Sequence, residues 1–324
     1  MSVSSPPGAY VLMTAAYNEE AFIEGTIQSV LAQTVQPRRW VIVSDNSSDG
    51  TDEIVERYAR QHDFIRFLRI TRAPGHSFGA KVIALQAGSR LLQDAEYEFI
   101  GNLDADISLE ATYFEQLIDC FRQNPEIGLV GGFVYEESDG EYRSRRVNDV
   151  RNVAHAAQLV RRECYEAIGG YAVLKYGGED WYAQTRARMM GWQVESVPEL
   201  KIFHHRHTGG GNNWMKSALR LGALDYSFGS DPVFEVMKCL HRVQDKPYFA
   251  VALARLAGFV WPYLRREPRE VPDEFVSYLR REQRGRLSAL LNRRRPADAI
   301  ALHVSAASKG VDNGVRQPES TFQD

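Results

Sequence analysis

Cysteine is nearly absent. Cys120, Cys164 and Cys239 are the only ones in 324 residues, an odd and scattered set without CxxC spacing. That excludes a disulfide framework and a cysteine-built zinc site, and it points to a reducing compartment. Residues 1–9 lack a basic start followed by an apolar run, so no secretory leader is expected and the reading is cytoplasmic. Long hydrophobic runs are missing as well. The longest, 248–264, has 17 residues, with Arg255 near its middle and Pro262 near its end. A spanning helix wants about 20 apolar residues, so this run reads as a buried or interfacial helix. No GxGxxG follows the first apolar run and no GxxxxGKS/T loop occurs, which excludes the dinucleotide fingerprint and the P-loop. Internal repeats are absent. The net charge of −3 shows no general excess of positive charge, so no nucleic-acid partner is expected.

What is there describes a globular chain, with 44% hydrophobic and 25% charged residues. Its length suits two units, or one large α/β unit with an appendage. Apolar runs at 10–15, 40–44, 65–70 and 97–103 read as buried strands. Helical patterns lie between them. One is capped by Asn18 and carries Ile23, Ile27, Val30 and Leu31 inward; the next buries Ile54, Val55, Tyr58 and Ala59. Another spans 79–92, and Ser108 is read as the cap of a helix through Phe114, Leu117, Ile118 and Phe121. This alternation predicts βαβ units and a mostly parallel sheet. Beyond it come a strand at 127–135, helices at 162–168 and 179–190, and strands at 192–197 and 200–203. The chain reads helical from Trp214 onward, and 301–324 is a polar tail expected to be disordered.

Ligands of such sheets bind beyond the carboxyl ends of the strands, and the polar clusters fall there: Tyr17-Asn18-Glu19, Asp45-Asn46-Ser47 and Asp104-Ala105-Asp106. Two carboxylates at i and i+2 can share a hard cation with phosphate oxygens, although a pair of loop aspartates also serves to cap a helix. Asp45 can accept from a base or ribose, or simply make the turn. Glu179-Asp180-Trp181 opens a helix after two glycines. Its acids either cap that helix, or one of them is a general base beside an aromatic sugar platform. His204-His205-Arg206-His207, before a glycine-rich loop, is a dense set of metal and phosphate ligands. Between 265 and 295, ten arginines face five acids, a local +5 on a body of −8. That is a solvated helical face, or a surface for an anionic membrane or acidic partner.

Together these residues resemble the family 2 glycosyltransferases over roughly 10–208. TAAYNEE (14–20) is similar to that family's first nucleotide-binding loop, VIVSDNSSDGT (41–51) to its second, and NLDADI (102–107) to its DxD loop. GAKVIALQAG (79–88) is similar to the helix whose lysine, here Lys81, lies near the donor, and GGEDW (177–181) to the acceptor-side motif. The resemblance implies a GT-A fold and inverting transfer from a nucleotide-sugar, a UDP-sugar first, to an acceptor hydroxyl in polysaccharide or glycoconjugate synthesis. Asp180 would be the base, with Glu179 and Trp181 on the acceptor side. Asp104, Asp106 and His204, 24 residues past Asp180, would hold Mn²⁺ or Mg²⁺. Thr14, Ala15, Tyr17, Glu19, Asp45, Lys81, Asp104, Ala105, Asp106 and Arg206 would line the donor nucleotide. Ala15-Ala16 stand where the family often has a proline, and Asn46 where a second aspartate is common.

The expected organisation is a tail (1–9), a catalytic domain (10–215, its nucleotide half 10–110 and acceptor half 111–215), a helical region (216–300) and the tail 301–324. Residues 207–214 are expected to form a lid. Phe249, Leu253, Leu256 and Val260 form an apolar stripe for peripheral contact with the cytoplasmic face of a membrane, where a lipid-linked or saccharide acceptor would be met. A homodimer, or packing on the catalytic domain, is the alternative use of that stripe. The rival functions are a sugar-nucleotide pyrophosphorylase and a catalytically silent nucleotide-sugar binder. Acidic Asn18-Glu19-Glu20, where the pyrophosphorylases carry a glycine-rich basic loop, argues against the first.

Overall fold

The computed structural model describes residues 8–72, 79–138, 140–145, 148–206, 214–241 and 249–292. The expected lid, apart from Trp214, and the expected tail 301–324 lie outside the described residues. The strands are β1 (Tyr10–Ala16), β2 (Arg39–Asp45), β3 (Ile65–Ile70), β4 (Phe99–Leu103), β5 (Ile107–Leu109), β6 (Ile127–Ser138), β7 (Glu141–Ser144), β8 (Ala157–Arg161) and β9 (Gln193–His204). The helices are α1 (Ile23–Leu31), α2 (Thr51–Gln61), α3 (Ala80–Ser89), α4 (Tyr113–Gln123), α5 (Arg162–Ile168), α6 (Glu179–Met189), α7 (Trp214–Ser227), α8 (Pro232–His241), α9 (Phe249–Leu264) and α10 (Asp273–Asn292).

The strands form one sheet in the order β3-β2-β1-β4-β8-β6-β9-β5, with β7 paired to β6. From β3 to β4 every pair is parallel, as the βαβ alternation predicts. Both faces are covered, so side chains alternate between two cores along each strand. Tyr10, Leu12 and Ala16 of β1, with Trp40 and Ile42 of β2, enter the core that also holds Phe114 and Phe121 of α4. Val11, Met13, Val41 and Val43 enter the other, against Val82 and Leu85 of α3 and Ala183 and Ala187 of α6.

Three local expectations need correction. Asn18 does not cap α1: it has φ +53°, and its side-chain oxygen accepts from the Ser48 amide at 2.8 Å. Glu19 and the residues after it form a turn first, so α1 starts only at Ile23. Nor does Ser108 cap α4, because Ile107–Leu109 pair antiparallel with the end of β9, and the helix begins at Tyr113. The strands expected at 192–197 and 200–203 are one strand whose ladder to β6 skips between Val197 and Lys201. Pro198 lies in that gap and has no amide to give to a ladder. Strands β5, β7 and β8 were not foreseen. They are short, and β8 carries the polar Gln158 in its apolar run.

Helices α7 and α9 cross closely because both carry glycine there. A Cβ on Gly222 would lie 2.0 Å from the Arg255 carbonyl, and one on Gly258 would lie 2.1 Å from that of Leu219. Arg255 is buried with its charge paired, to Asp225 at 2.5 Å and to Glu235 at 3.0 Å; Lys238 joins both acids at 2.6 and 2.9 Å. Removing one member of such a buried set costs about 3–5 kcal/mol, since its partners would keep a desolvated charge. A small third core joins these helices to the body: Phe228, Phe275 and Leu279, with Trp181 and Tyr182 of α6 against them.

Candidate active site

The carboxyl ends of β1, β2 and β4 and the start of α6 carry the site. The first two loops interlock. Thr51 accepts from the Glu19 amide (2.8 Å), Asp49 from the Glu20 amide (3.1 Å), and Glu20 from the Gly50 amide (3.0 Å). Asn46, at φ +59°, donates its amide to the Arg72 carbonyl (2.9 Å) and accepts from the Arg72 amide (3.1 Å). An aspartate could make only the second of those bonds, which accounts for the asparagine. Arg72 in turn grips the buried Asp45 through Nε at 2.8 and 3.0 Å.

Asp106 lies between β4 and β5, and antiparallel pairing sets Ile107 opposite His204. One oxygen or nitrogen from each of Asp104, Asp106 and His204 falls within 4.8 Å of the others. The Nδ1 of His204 is bonded to the Arg206 carbonyl, which can only accept, so Nδ1 bears the hydrogen. The lone pair is therefore on Nε2, 3.4 Å from Asp106 Oδ1. A metal-binding imidazole is usually oriented in this way, by donating its far N–H to a carbonyl. His205 has no nitrogen to spare: Nε2 meets Ser108 Oγ at 3.0 Å and Nδ1 meets the Tyr142 hydroxyl at 2.7 Å. Of the histidines considered, His204 is thus in position; His207 lies outside the described residues. Two carboxylates and an imidazole suit Mn²⁺ or Mg²⁺.

Charge is crowded here. Lys81 of α3 pairs with Asp104; although burial penalises its charge, Asp104, Glu179 and Asp180 hold its pKa above the usual lysine value. Burial raises the pKa of Asp106, which His204 opposes and Asp104 reinforces. Arg206 pairs with Glu19, approaches Asp106 at 3.5 Å and lies over the Phe22 ring. Burial, then Asp106, push the Glu19 carboxyl up to about 7 against the pull of Arg206. The folded chain therefore holds a proton there that the unfolded chain releases near pH 4.5. Stability from this group falls as pH rises between those values. Relative to the parent, Glu19→Gln should gain stability as pH rises from about 4.5 to about 7, by on the order of 1–2 kcal/mol once solvent screening is allowed for, read from denaturant melts without metal. A gap that stays constant with pH would show that Glu19 holds no such proton.

The site residues expected from the sequence fare differently. Asp104, Ala105, Asp106, His204, Arg206, Glu19 and Lys81 are brought together. Asp45 is at the neighbouring strand end, held by Arg72. Tyr17 is 58% exposed, and Ala15 is partly buried. The Thr14 side chain is fully buried and its hydroxyl accepts from the Trp40 indole at 2.9 Å, so only its main chain is left to face a nucleotide. Glu179 and Asp180 open α6, where Asp180 accepts from the Trp181 amide at 2.7 Å. Trp181 packs one face on Phe228, ring centroids 4.8 Å apart.

Arg72 and His155 were missed. Register aligns Ile70 with Asp45, so Arg72 projects from the carboxyl end of β3, where the strand-end rule already pointed. His155 had no such signal.

Poly-β-1,6-N-acetyl-D-glucosamine synthase of Staphylococcus epidermidis is 32% identical over 120 residues, 37% of this chain and 27% of that protein. The same enzyme of Staphylococcus aureus (strain COL) is 33% identical over 122 residues, with the same shares. The match thus spans about a quarter of those relatives. Among solved structures, a mannosyltransferase of Pyrobaculum calidifontis in complex with GDP-Man and Mn²⁺ has a TM-score of 0.49 at 18% identity, covering 91% of this chain and 84% of that one. TarS 1–349 of S. aureus with UDP has a TM-score of 0.48 at 14% identity, covering 79% and 72%. The sequence profile described as Glycosyl transferase family 2 matches residues 12–177, more than half of the chain, and takes in the loops after β1 and β2 and the DxD segment. The chain belongs to glycosyl transferase family 2.

Proposed function

We propose that the protein transfers a sugar from a nucleotide-sugar to an acceptor hydroxyl, with inversion, in polysaccharide or glycoconjugate synthesis. One observation carries the reading. Lys81 pairs with Asp104 and its charge is held up by Glu179 and Asp180 as well, so the DxD carboxylates and the α6 carboxylates gather around one ammonium. Asp180 takes the acceptor proton as the hydroxyl oxygen attacks the anomeric carbon and the nucleoside diphosphate leaves. Burial raises the affinity of Asp180 for a proton, with Glu179 adding to it and His155 opposing, which suits a base. Asp104, Asp106 and His204 would hold the Mn²⁺ or Mg²⁺, which when bound neutralises charge on the leaving diphosphate. Lys81 and Arg206 add positive charge beside it, and Asp45 accepts from the nucleoside. A UDP-sugar is the donor to test first, because the matched relatives are named as synthases of an N-acetylglucosamine polymer.

The test is a thermal-shift panel of nucleoside diphosphates with and without Mn²⁺, followed by donor hydrolysis. Ligands of the native state raise the midpoint by mass action. Stabilisation by one nucleotide that needs Mn²⁺, together with donor cleavage, supports a transferase. Stabilisation without cleavage would favour a silent binder.

The acceptor, in this reading, is met at an anionic lipid surface. Among the described residues no helix is long and apolar enough to cross a membrane. Yet α9 leaves Phe249, Leu253 and Trp261 between 57% and 68% exposed, and α8 leaves Val233 and Leu240 at 60% or more. Arg265, Arg266 and Arg269 follow directly, Arg265 lying over the Trp261 ring at 4.6 Å. Apolar and aromatic groups edged by arginine fit the headgroup layer of an anionic bilayer. The chain should float with phosphatidylglycerol vesicles at low salt and less at high salt, and the double variant Phe249→Glu, Leu253→Glu should not. Failure of the parent to float at low salt, with or without dimers in sedimentation, overturns the membrane reading and leaves the transferase reading intact.

A further inference from the structure

We propose that His155 is a positioning residue of the acceptor side: its imidazole pairs with Glu179, keeping that carboxylate as a fixed charge and leaving Asp180 as the one free to take a proton. The proposal builds on the assignment of Asp180 above. It starts from where the chain carries His155. The segment before β8 straps the metal-side strand to the helix of the two acids. Asn102 of β4 donates to the His155 carbonyl, and the Asp104 amide donates to that of Ala156 at 2.7 Å. Two residues earlier, Val153 is clamped by Gln184 of α6, accepting at 2.6 Å and donating at 3.0 Å. His155 thus lies between the DxD loop and the α6 carboxylates, and only 7% of it is exposed.

The ring is held but not satisfied. It meets Tyr171 edge-on, centroids 4.5 Å apart at 70°, and the Tyr171 hydroxyl accepts from Gln158 at 2.5 Å. Among the described residues neither ring nitrogen of His155 makes a hydrogen bond, and Nδ1 stands 3.5 Å from Glu179 Oε1. A buried imidazole left without hydrogen bonds is costly unless a charge compensates it, and Glu179 is that charge. Glu179 is also faced by Lys81 from α3 and by Arg220 from α7; Asp180 is faced by Glu179, His155, Lys81 and Tyr171. The outcome is asymmetric. Against the effect of burial, His155 and then Lys81 bring the Glu179 carboxyl down to about 2, while that of Asp180 is raised. Two carboxylates pushed apart in this way take different roles, one a permanent charge and one a base.

The experiment follows the carboxyl carbons of Glu179 and Asp180 by ¹³C NMR through a pH titration of the full chain, assigned with Glu179→Gln and Asp180→Asn. In His155→Gln the Glu179 midpoint should rise by about one pH unit or more, a tenfold gain in proton affinity, and that of Asp180 should rise with it. In Glu179→Gln the Asp180 midpoint should fall. An unchanged Glu179 midpoint in both His155→Gln and His155→Phe overturns the proposal. Should neither variant fold, the ¹⁵N imidazole chemical shifts of His155 at fixed pH decide: they must change in Glu179→Gln, and constancy there overturns the pairing. In turnover of UDP-N-acetylglucosamine, the acid limb of the rate profile should move to higher pH in His155→Gln and to lower pH in Glu179→Gln. A uniform loss of rate with no movement of the limb would mean that His155 only supports the fold. Full transfer by Asp180→Asn would remove the base assignment instead, and the carbon titration would still decide whether His155 pairs with Glu179.

Discussion

Asp180→Asn should cut sugar transfer by about 10²-fold or more while the affinity for nucleotide with Mn²⁺ stays near that of the parent. The substitution is nearly isosteric and spares the local structure. The Trp181 amide donates to Asp180 Oδ1 at 2.7 Å, and an asparagine oxygen accepts that bond equally well. It also removes one of two adjacent buried carboxylates, so stability should hold or rise slightly. What it takes away is the raised proton affinity that burial gives this group. Calorimetric titration of nucleotide into the variant, set beside turnover, reads the two effects apart. Lost nucleotide binding would mean that Asp180 belongs to the donor site. Full activity would pass the role of base to Glu179, although a carboxyl with a pKa of about 2 is a poor base near neutrality.

The second large effect is expected at the cluster of Asp104, Asp106 and His204. Asp106→Ala or His204→Ala should abolish the Mn²⁺ dependence of nucleotide binding and lower affinity more than the 10–100-fold typical of losing an outer partner of a metal ligand. Each removes one of three donors whose atoms lie within 4.8 Å of one another. His205→Ala is the contrasting variant. Its ring nitrogens are committed to Ser108 and Tyr142, so the Mn²⁺ dependence should survive. If His205→Ala lost it and His204→Ala retained it, the ligand assignment would be inverted.

The parallel half of the sheet was legible because each strand there is buried on both faces and reads as an apolar run, and each helix carries a 3.6-residue stripe. The other half was harder. Strand β5 has three residues, and its existence depends on β9, nearly a hundred positions away, rather than on any local pattern. That same pairing made Ser108 a strand residue that caps no helix, and it drew His204 against Asp106. Asn18 and Asn46 were read as cap and turn residues. Each in fact holds a left-handed backbone while its side chain fastens one loop to another, a use invisible until the loops are adjacent.

By itself the sequence determined the chemistry on offer. It carries acidic pairs after two of the strands, a run of histidines and an arginine before a loop, and acids at a helix start, all at strand or helix ends, where an α/β sheet exposes its polar groups. Spacing along the chain was enough for that, because strand ends and helix starts are local facts. Only the tertiary structure decided which of these groups come together and what state each is in. Burial and neighbouring charge set proton affinity, and both come from residues distant in sequence: Arg206 and Asp106 for Glu19, His155 and Lys81 for Glu179. For the same reason the Thr14 hydroxyl, inside a motif, is turned to Trp40, whereas Arg72 and His155, outside every motif, stand against Asp45 and Glu179.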